Sequence, residues 1–404
     1  MKKLLVAVLA VALFAPAFAV ENVKLTGDIQ SIGLGYNDRG TTIVGNNLRG
    51  TTNRVILGFG ADLVEDVYAK VTFAHRWVAG DNGLTGATVT GVATSLLDTT
   101  FVAEAFVKVS NIFDALEVKV GRQYYGDVNS AVMYFGPDYG YAVVNNYASL
   151  DGVTAKYNGE NFALTAAYFT LNNAMAINPA LPTTGENLNL AGLDLDVKIN
   201  ENIKASAYVY DVRDDDALTL GNSFGFWGVK PTLEYEHFKL GAEYARNYAA
   251  HNDKGWQVKA DLAIPLGTED TRITPRVTYL KSEKNFVAFG NYRPGLMFGT
   301  VLVARGTLGA VNNILGGAVD NWEVLNVGLC MKFAGLEKVG FGLDFYTGDL
   351  DGAGTLHGNS WEVKAVYNVN QYVNLNLTGA MLTNAGHSWK HSPTAVQLGM
   401  NVKF

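Results

Sequence analysis

Two histidines stand four residues apart near the end of the chain, His387 and His391, with Ser388 and Ser392 beside them. Such a pair can hold a metal ion, and a histidine next to a serine can act as the base of a hydrolase. Neither chemistry is complete here. A hydrolase also needs an orienting acid within reach, and a zinc site needs further donors. No cysteine or carboxylate joins the pair at a matching spacing, so these residues read as a solvated loop. Asp349, Asp351 and Gly352 share only the first positions of a calcium loop and lack the later ligands. No glycine-rich phosphate loop follows a strand and opens a helix. The chain is therefore read as a non-enzyme, with no cofactor and no metal.

The charged residues point elsewhere. In Leu116–Asp127, "LEVKVGRQYYGD", Leu116, Val118 and Val120 alternate with Glu117, Lys119 and Gly121. Strict alternation marks a strand with one apolar and one polar face. The same pattern recurs along the chain. Val55, Leu57, Phe59, Ala61 and Leu63 alternate with Arg54, Gly58, Gly60 and Asp62, and Val373, Leu375 and Leu377 alternate with Asn374, Asn376 and Thr378. The apolar faces carry almost no charge, as expected of a surface against lipid, where a charge costs about 2–4 kcal/mol at the midplane.

Export is written at the start. Lys2 and Lys3 precede an apolar run from Leu4 to Phe14, followed by Ala17-Phe18-Ala19. This is a secretory signal peptide over residues 1–19, cut before Val20. After it, no run of 18 apolar residues marks a membrane helix. Removing Lys2 and Lys3 takes the net charge from −7 to −9, which argues against a nucleic-acid partner. Cys330 is the only cysteine, so no internal disulfide holds the chain. The 44 glycines and 20 tyrosines suit a sheet-rich protein.

Eighteen strands are expected, at 23–36, 53–63, 67–78, 99–110, 115–124, 150–157, 161–171, 190–199, 203–212, 224–236, 238–248, 255–264, 271–281, 321–333, 338–346, 360–368, 372–382 and 394–404. Most have about ten residues, the length that crosses a bilayer at a tilt. Connections alternate between tight turns such as Glu65-Asp66 and Asn370-Gln371, and long loops at 79–98, 125–149, 172–189, 282–320 and 347–359. That asymmetry predicts an all-β transmembrane antiparallel up-and-down barrel, a single domain over 20–404, in the outer membrane of a Gram-negative-type cell. The short span between Val20 and the first strand leaves no room for a plug domain. Closure removes every strand edge, which hydrocarbon would not tolerate. The outer-membrane lipid and the barrel-insertion machinery are the expected partners. "VQLGMNVKF" ends in Phe404, which resembles the terminal-strand insertion signal of such barrels. The oligomeric state is open between monomer and trimer.

If the polar faces line a water-filled lumen, alternation places Arg54, Arg76, Lys119, Lys230, Arg272, Arg276, Glu104, Glu117 and Asp344 there. Lysines and arginines outnumber acids on that face, which favours anions weakly. The alternative is that these charges form cross-strand ladders that only solvate the interior. Arg122 falls on the lipid-side parity near a strand end, so it lies at the rim or is turned inward by a bulge at Gly121. "FVKVSNIFDALEVKVGRQYYGD" resembles a stretch of the alginate-export family, eighteen-stranded outer-membrane channels. The resemblance covers residues 101–127 and implies that Arg122 is a pore residue.

Two long connections are unusually apolar. One contains Met133, Tyr134, Phe135 and Tyr139, the other Leu296, Met297 and Phe298. Each buried side chain of this kind gains about 1.5–3 kcal/mol over exposure, so both should fold into the channel and narrow it. The first is expected beside Arg54 and Arg76, the second near Arg276. For 282–320 an extra hairpin, giving twenty strands, is the other reading. The function expected is a porin for passive diffusion of small hydrophilic solutes. An alginate-export-like channel for acidic sugars and a structural or adhesion barrel are the alternatives.

Overall fold

The structure is a computed structural model that describes residues 21–37, 47–81, 99–137, 149–171, 188–214, 224–248, 255–283, 286–288, 295–298, 317–319, 322–350, 356–383 and 392–404. Residues 1–20, where a signal peptide is expected, Tyr139, Asp351, Gly352, His387 and His391 lie outside them, as do the side chain of Arg76 and most of 282–320.

Eighteen antiparallel strands form a closed wall. They are β1 (Glu21–Asn37), β2 (Asn47–Val64), β3 (Val67–Asp81), β4 (Thr99–Ile112), β5 (Leu116–Gln123), β6 (Leu150–Asn158), β7 (Phe162–Thr170), β8 (Leu188–Lys198) and β9 (Ile203–Asp214). The circuit continues through β10 (Phe224–Tyr235), β11 (Phe238–Asn247), β12 (Trp256–Ala263), β13 (Arg272–Glu283), β14 (Trp322–Lys332), β15 (Val339–Leu350), β16 (Leu356–Asn368), β17 (Val373–Thr383) and β18 (Thr394–Lys403). Each pairs with its neighbour in sequence, and β1 pairs with β18 to close the circuit. The seam is finished by the last residue. Phe404 exchanges backbone bonds with Gly27, at 2.7 and 3.0 Å, and its ring covers the space a side chain at Gly27 would fill.

The alternative of an extra wall hairpin in 282–320, giving twenty strands, is not what the described residues form. Phe286–Ala288 pairs with Gly317–Val319, but as a separate two-stranded ladder that does not enter the wall. The wall count stays at eighteen.

Several strands run further outward than their sequence pattern suggested. β2 starts at Asn47 rather than 53, β15 reaches Leu350 rather than 346, and β16 starts at Leu356 rather than 360. The reason is a change of medium along each strand. On β1, Asp28 and Gln30 face inward, but further out the inward residues are the buried Ile32, Leu34 and Tyr36. The outward face changes in the opposite sense. Leu25 is exposed to the lipid side, whereas Ser31, Thr51 and Asn53 hydrogen-bond to one another above it. On β14 the outward residue Val327 gives way to Glu323, and the inward Asn326 to Val324 and Trp322. On β8 and β9, Leu193 and Val209 give way outward to Asn189, Asp211 and Arg213, and Asp194 gives way inward to Leu190 and Val212. Over these stretches the alternation of side chains is unbroken, whereas β4 carries a bulge at Ala103 that leaves Ala103 and Glu104 both buried. What lies on each side has exchanged: hydrocarbon outside and water inside below, water outside and packed protein inside above.

Candidate pore and its constriction

At the level where outward residues are apolar, the inner wall is charged, and most charges are paired. Arg54, 1% exposed, donates to Asp28 at 2.9 Å. Lys70 meets Glu104 at 2.6 Å, and Lys108 meets Glu117 at 3.1 Å. Arg276 holds Asp344 through Nη2 at 2.7 Å to each carboxylate oxygen, and Lys364 reaches the same carboxylate at 2.8 Å and Glu362 at 3.2 Å. Lys119 extends over the Phe106 ring, with Nζ 4.8 Å from its centre. Lys119 and Lys156 make no ion pair among the described residues. Arg272 sits at the periplasmic end, opposite Lys332. For Arg76 the backbone alone is described, opposite Arg54.

Arg122 does not line this wall. The β4–β5 register runs without a break from Val109↔Val118 to Ala105↔Arg122, so the positive φ of Gly121 does not invert the parity. Arg122 points outward and forms a two-pronged pair with the adjacent outward Asp151, at 2.7 and 2.5 Å. Of the two positions open to it, it takes the one outside the lumen.

Beyond Gln123 the chain leaves the wall and turns inward. Tyr125-Gly126 pairs with Tyr134-Phe135 in a short hairpin. At its tip the Ser130 hydroxyl accepts the N–H groups of Val132 and Met133, at 3.0 and 3.1 Å. The same hydroxyl donates to Glu243 on β11 at 2.6 Å, and the Ala131 N–H donates to the other oxygen of Glu243 at 2.8 Å. Lys259 donates to the Asn129 carbonyl at 2.9 Å, Lys230 pairs with Asp127, and Tyr125 and Tyr210 both donate to Asp194. Burial pushes the Asp127 carboxyl up, but the Lys230 ammonium and the Asn129 N–H outweigh it and hold it below its ordinary range.

Met133 and Phe135 are buried against Leu150, Phe169, Leu190, Val212 and Phe226 on the β6–β10 wall. They do not sit beside Arg54. That side is covered by Phe101 and Tyr124, which pack on Ile56, Ala74 and Ala103. Tyr134 is buried too, with its hydroxyl donating to the Pro137 carbonyl. A cavity of about 300 Å³ lies beneath the hairpin, between Tyr125, Asp194, Asp196, Tyr208 and Lys230.

The second inward piece is a helical turn, residues 296–298, with Leu296, Met297 and Phe298 all buried. The Leu296 and Met297 N–H groups both point at Glu362 Oε1 on β16, the latter at 3.4 Å. Glu362 in turn touches the Lys364–Asp344–Arg276 network, so this segment does dock near Arg276.

Alternation gives Glu243 and Glu362 the lumen parity and nothing more. Nothing in a period-two pattern separates a carboxylate that solvates a lumen from one that holds a loop. The weak signal was on the other partner: Ser130 stands directly before an apolar run, a place where a hydroxyl caps backbone N–H groups.

No protein-family model and no curated protein matches the chain. Its structure is similar to solved ones. Against OccK3 (OpdO) of Pseudomonas aeruginosa the TM-score is 0.62 at 13% identity, covering 96% of this chain and 97% of that one. Against OccAB2 of Acinetobacter baumannii it is 0.63 at 12% identity, over 95% and 99%. A variant of OccD1 (OprD) gives 0.60 at 11% identity, over 96% of each. At these identities the likeness is one of fold: a closed eighteen-stranded barrel of the outer-membrane type.

Proposed function

We propose that the protein is an outer-membrane channel through which small hydrophilic solutes diffuse passively, with a weak preference for anions. The observation that carries this reading is the membrane-level inner wall. Its inward residues are charged while their outward neighbours are apolar, and two loop segments fold in to narrow the space between them. A barrel with a purely structural role would have no need to keep charges such as Lys119 and Lys156 on its inner face. The structural likeness to the Occ and OprD channels points the same way.

The preference is weak because many inner cations are cancelled by partners within 4 Å, and because the inward Asp194 and Glu243, which have no ion pair among the described residues, oppose the unpaired Lys119 and Lys156. The same cancellation weighs against an acidic polysaccharide, which needs an uninterrupted basic track. Planar-bilayer recording across a potassium chloride gradient tests both parts. Ohmic steps with a small reversal potential towards chloride are expected. Silence from folded protein would overturn the channel, and a strong cation preference would overturn the bias.

A further inference from the structure

Resting on the channel reading, we propose that Glu243 and Glu362 are positioning residues that set the width of the pore, each latching one inward loop to the wall by its backbone. The two sit on different strands, β11 and β16, five positions apart around the wall, and hold different loops. The device is the same in both. A carboxylate on the inner wall accepts the N–H groups of a loop that has left the wall. At Glu243 one oxygen takes the Ser130 hydroxyl and the other the Ala131 N–H. At Glu362 one oxygen takes the N–H groups of Leu296 and Met297.

Buried N–H groups must find an acceptor, and Ala131, Leu296 and Met297, like Glu243 and Glu362, are buried. A loop also needs something beyond apolar packing to fix its register, because packing is non-directional. The carboxylates supply that direction. Lys364 beside Glu362 balances its charge, whereas Glu243 has no ion pair among the described residues and accepts one more hydrogen bond, from the Tyr208 hydroxyl at 3.0 Å.

An independent observation fits Glu362 as a docking post. Gly295 enters the contact with φ +95°, and a Cβ there would lie 2.6 Å from Glu362 Oε1 and 2.9 Å from the Tyr346 ring. Only glycine brings the following N–H groups that close.

Gly295 therefore gives a way to undock the loop without changing any charge. Glu362→Gln, Glu362→Ala and Gly295→Ala are compared with the native protein in planar bilayers, with exclusion of graded polyethylene glycols as a second measure of width. The folded fraction of each is set by heat-modifiable gel mobility. Gln keeps an acceptor oxygen, so Glu362→Gln should conduct within the native range. Glu362→Ala and Gly295→Ala should each raise conductance by about twofold and admit larger polymers, the scale of losing one of two constricting segments from a water-filled pore. Glu243→Ala should do the same through the other loop, and the two Ala variants should add. If native protein conducts and Gly295→Ala matches it in conductance and exclusion, the latch is wrong. If Glu362→Gln and Glu362→Ala change selectivity alike with no change in width, Glu362 acts by charge only and the latch is again wrong. Absence of current from folded native protein would instead remove the channel reading itself. Should Glu362→Ala fail to fold, Gly295→Ala and Glu243→Ala still decide.

Discussion

Asp344 is 0% exposed and serves two cations at once, Arg276 and Lys364, with Asn326 at 3.3 Å. A buried ion pair gains little over an apolar pair of equal shape, but breaking one leaves a charge stranded. Asp344→Ala should therefore lower barrel stability, but by less than the roughly 3–5 kcal/mol of a fully buried pair, because Arg276 is 36% and Lys364 31% exposed and Lys364 keeps Glu362; the measure is a shift in urea unfolding of the folded form. A change under 1 kcal/mol would mean that water reaches Arg276 and Lys364 freely, about the worth of an exposed pair. Arg122 makes the opposite case. Its parity in the sequence placed it outside, while likeness to a channel family suggested the pore; the parity was the better guide because a register, once set on both neighbours, moves every side chain or none. Arg122→Gln should leave the reversal potential unchanged, whereas Lys119→Gln should move it towards cations; the reverse result would place Arg122 in the ion path. For Asp127 the sign runs with a lowered carboxyl value. Its hold on Lys230 is complete above the unfolded value and is lost only as the pH falls through the lower folded value, so acidification to about pH 5 should leave this contact whole.

Strand number and order were legible because period-two alternation and unequal connections are both set by the bilayer. The outer ends were not. Ile32, Leu34 and Tyr36 keep the parity of Asp28 and Gln30, but a rule that equates the polar face with the lumen places them wrongly. On the β6–β10 wall the residues of the apolar inward face pack against the 125–135 hairpin, a contact that is non-local in sequence. The exchange of faces marks where hydrocarbon ends, and it can be tested strand by strand. Val327 is outward below the switch and Glu323 outward above it. Val327→Lys should cost about 2–4 kcal/mol in folding into lipid, while Glu323→Lys should cost under 1. Equal costs would mean that the switch does not follow the membrane edge. At the seam, deletion of Phe404 removes both backbone bonds to Gly27 and the ring that covers it. The assembled amount should fall, and normal assembly would count against a role for the terminal residue in insertion or closure.

Across the whole molecule, the inward hairpin joins two tasks that the sequence did not separate. Its apolar content showed that it must pack, and burial alone called for a fold towards the barrel. Where it packs depended on partners from distant strands, Leu150, Phe169, Leu190, Val212 and Phe226, which no local pattern ties to residues 131–135. The hairpin therefore narrows the channel and also completes an apolar core in the outer part of the barrel. Replacing residues 131–147 with a Gly-Ser linker should consequently do two things at once. Conductance should rise as the constriction is lost, and the anion preference should fall as ions pass further from Lys119 and Lys156. Thermal stability should fall too, because those five wall residues would face water, at about 1.5–3 kcal/mol for each side chain fully exposed. The Glu243→Ala variant removes the latch and leaves the apolar core residues in place, so it should raise conductance with a smaller loss of stability. A linker variant with raised conductance and native stability would show that the core packs without the hairpin. Unchanged conductance after both inward loops are shortened would place the narrowest point elsewhere along the barrel.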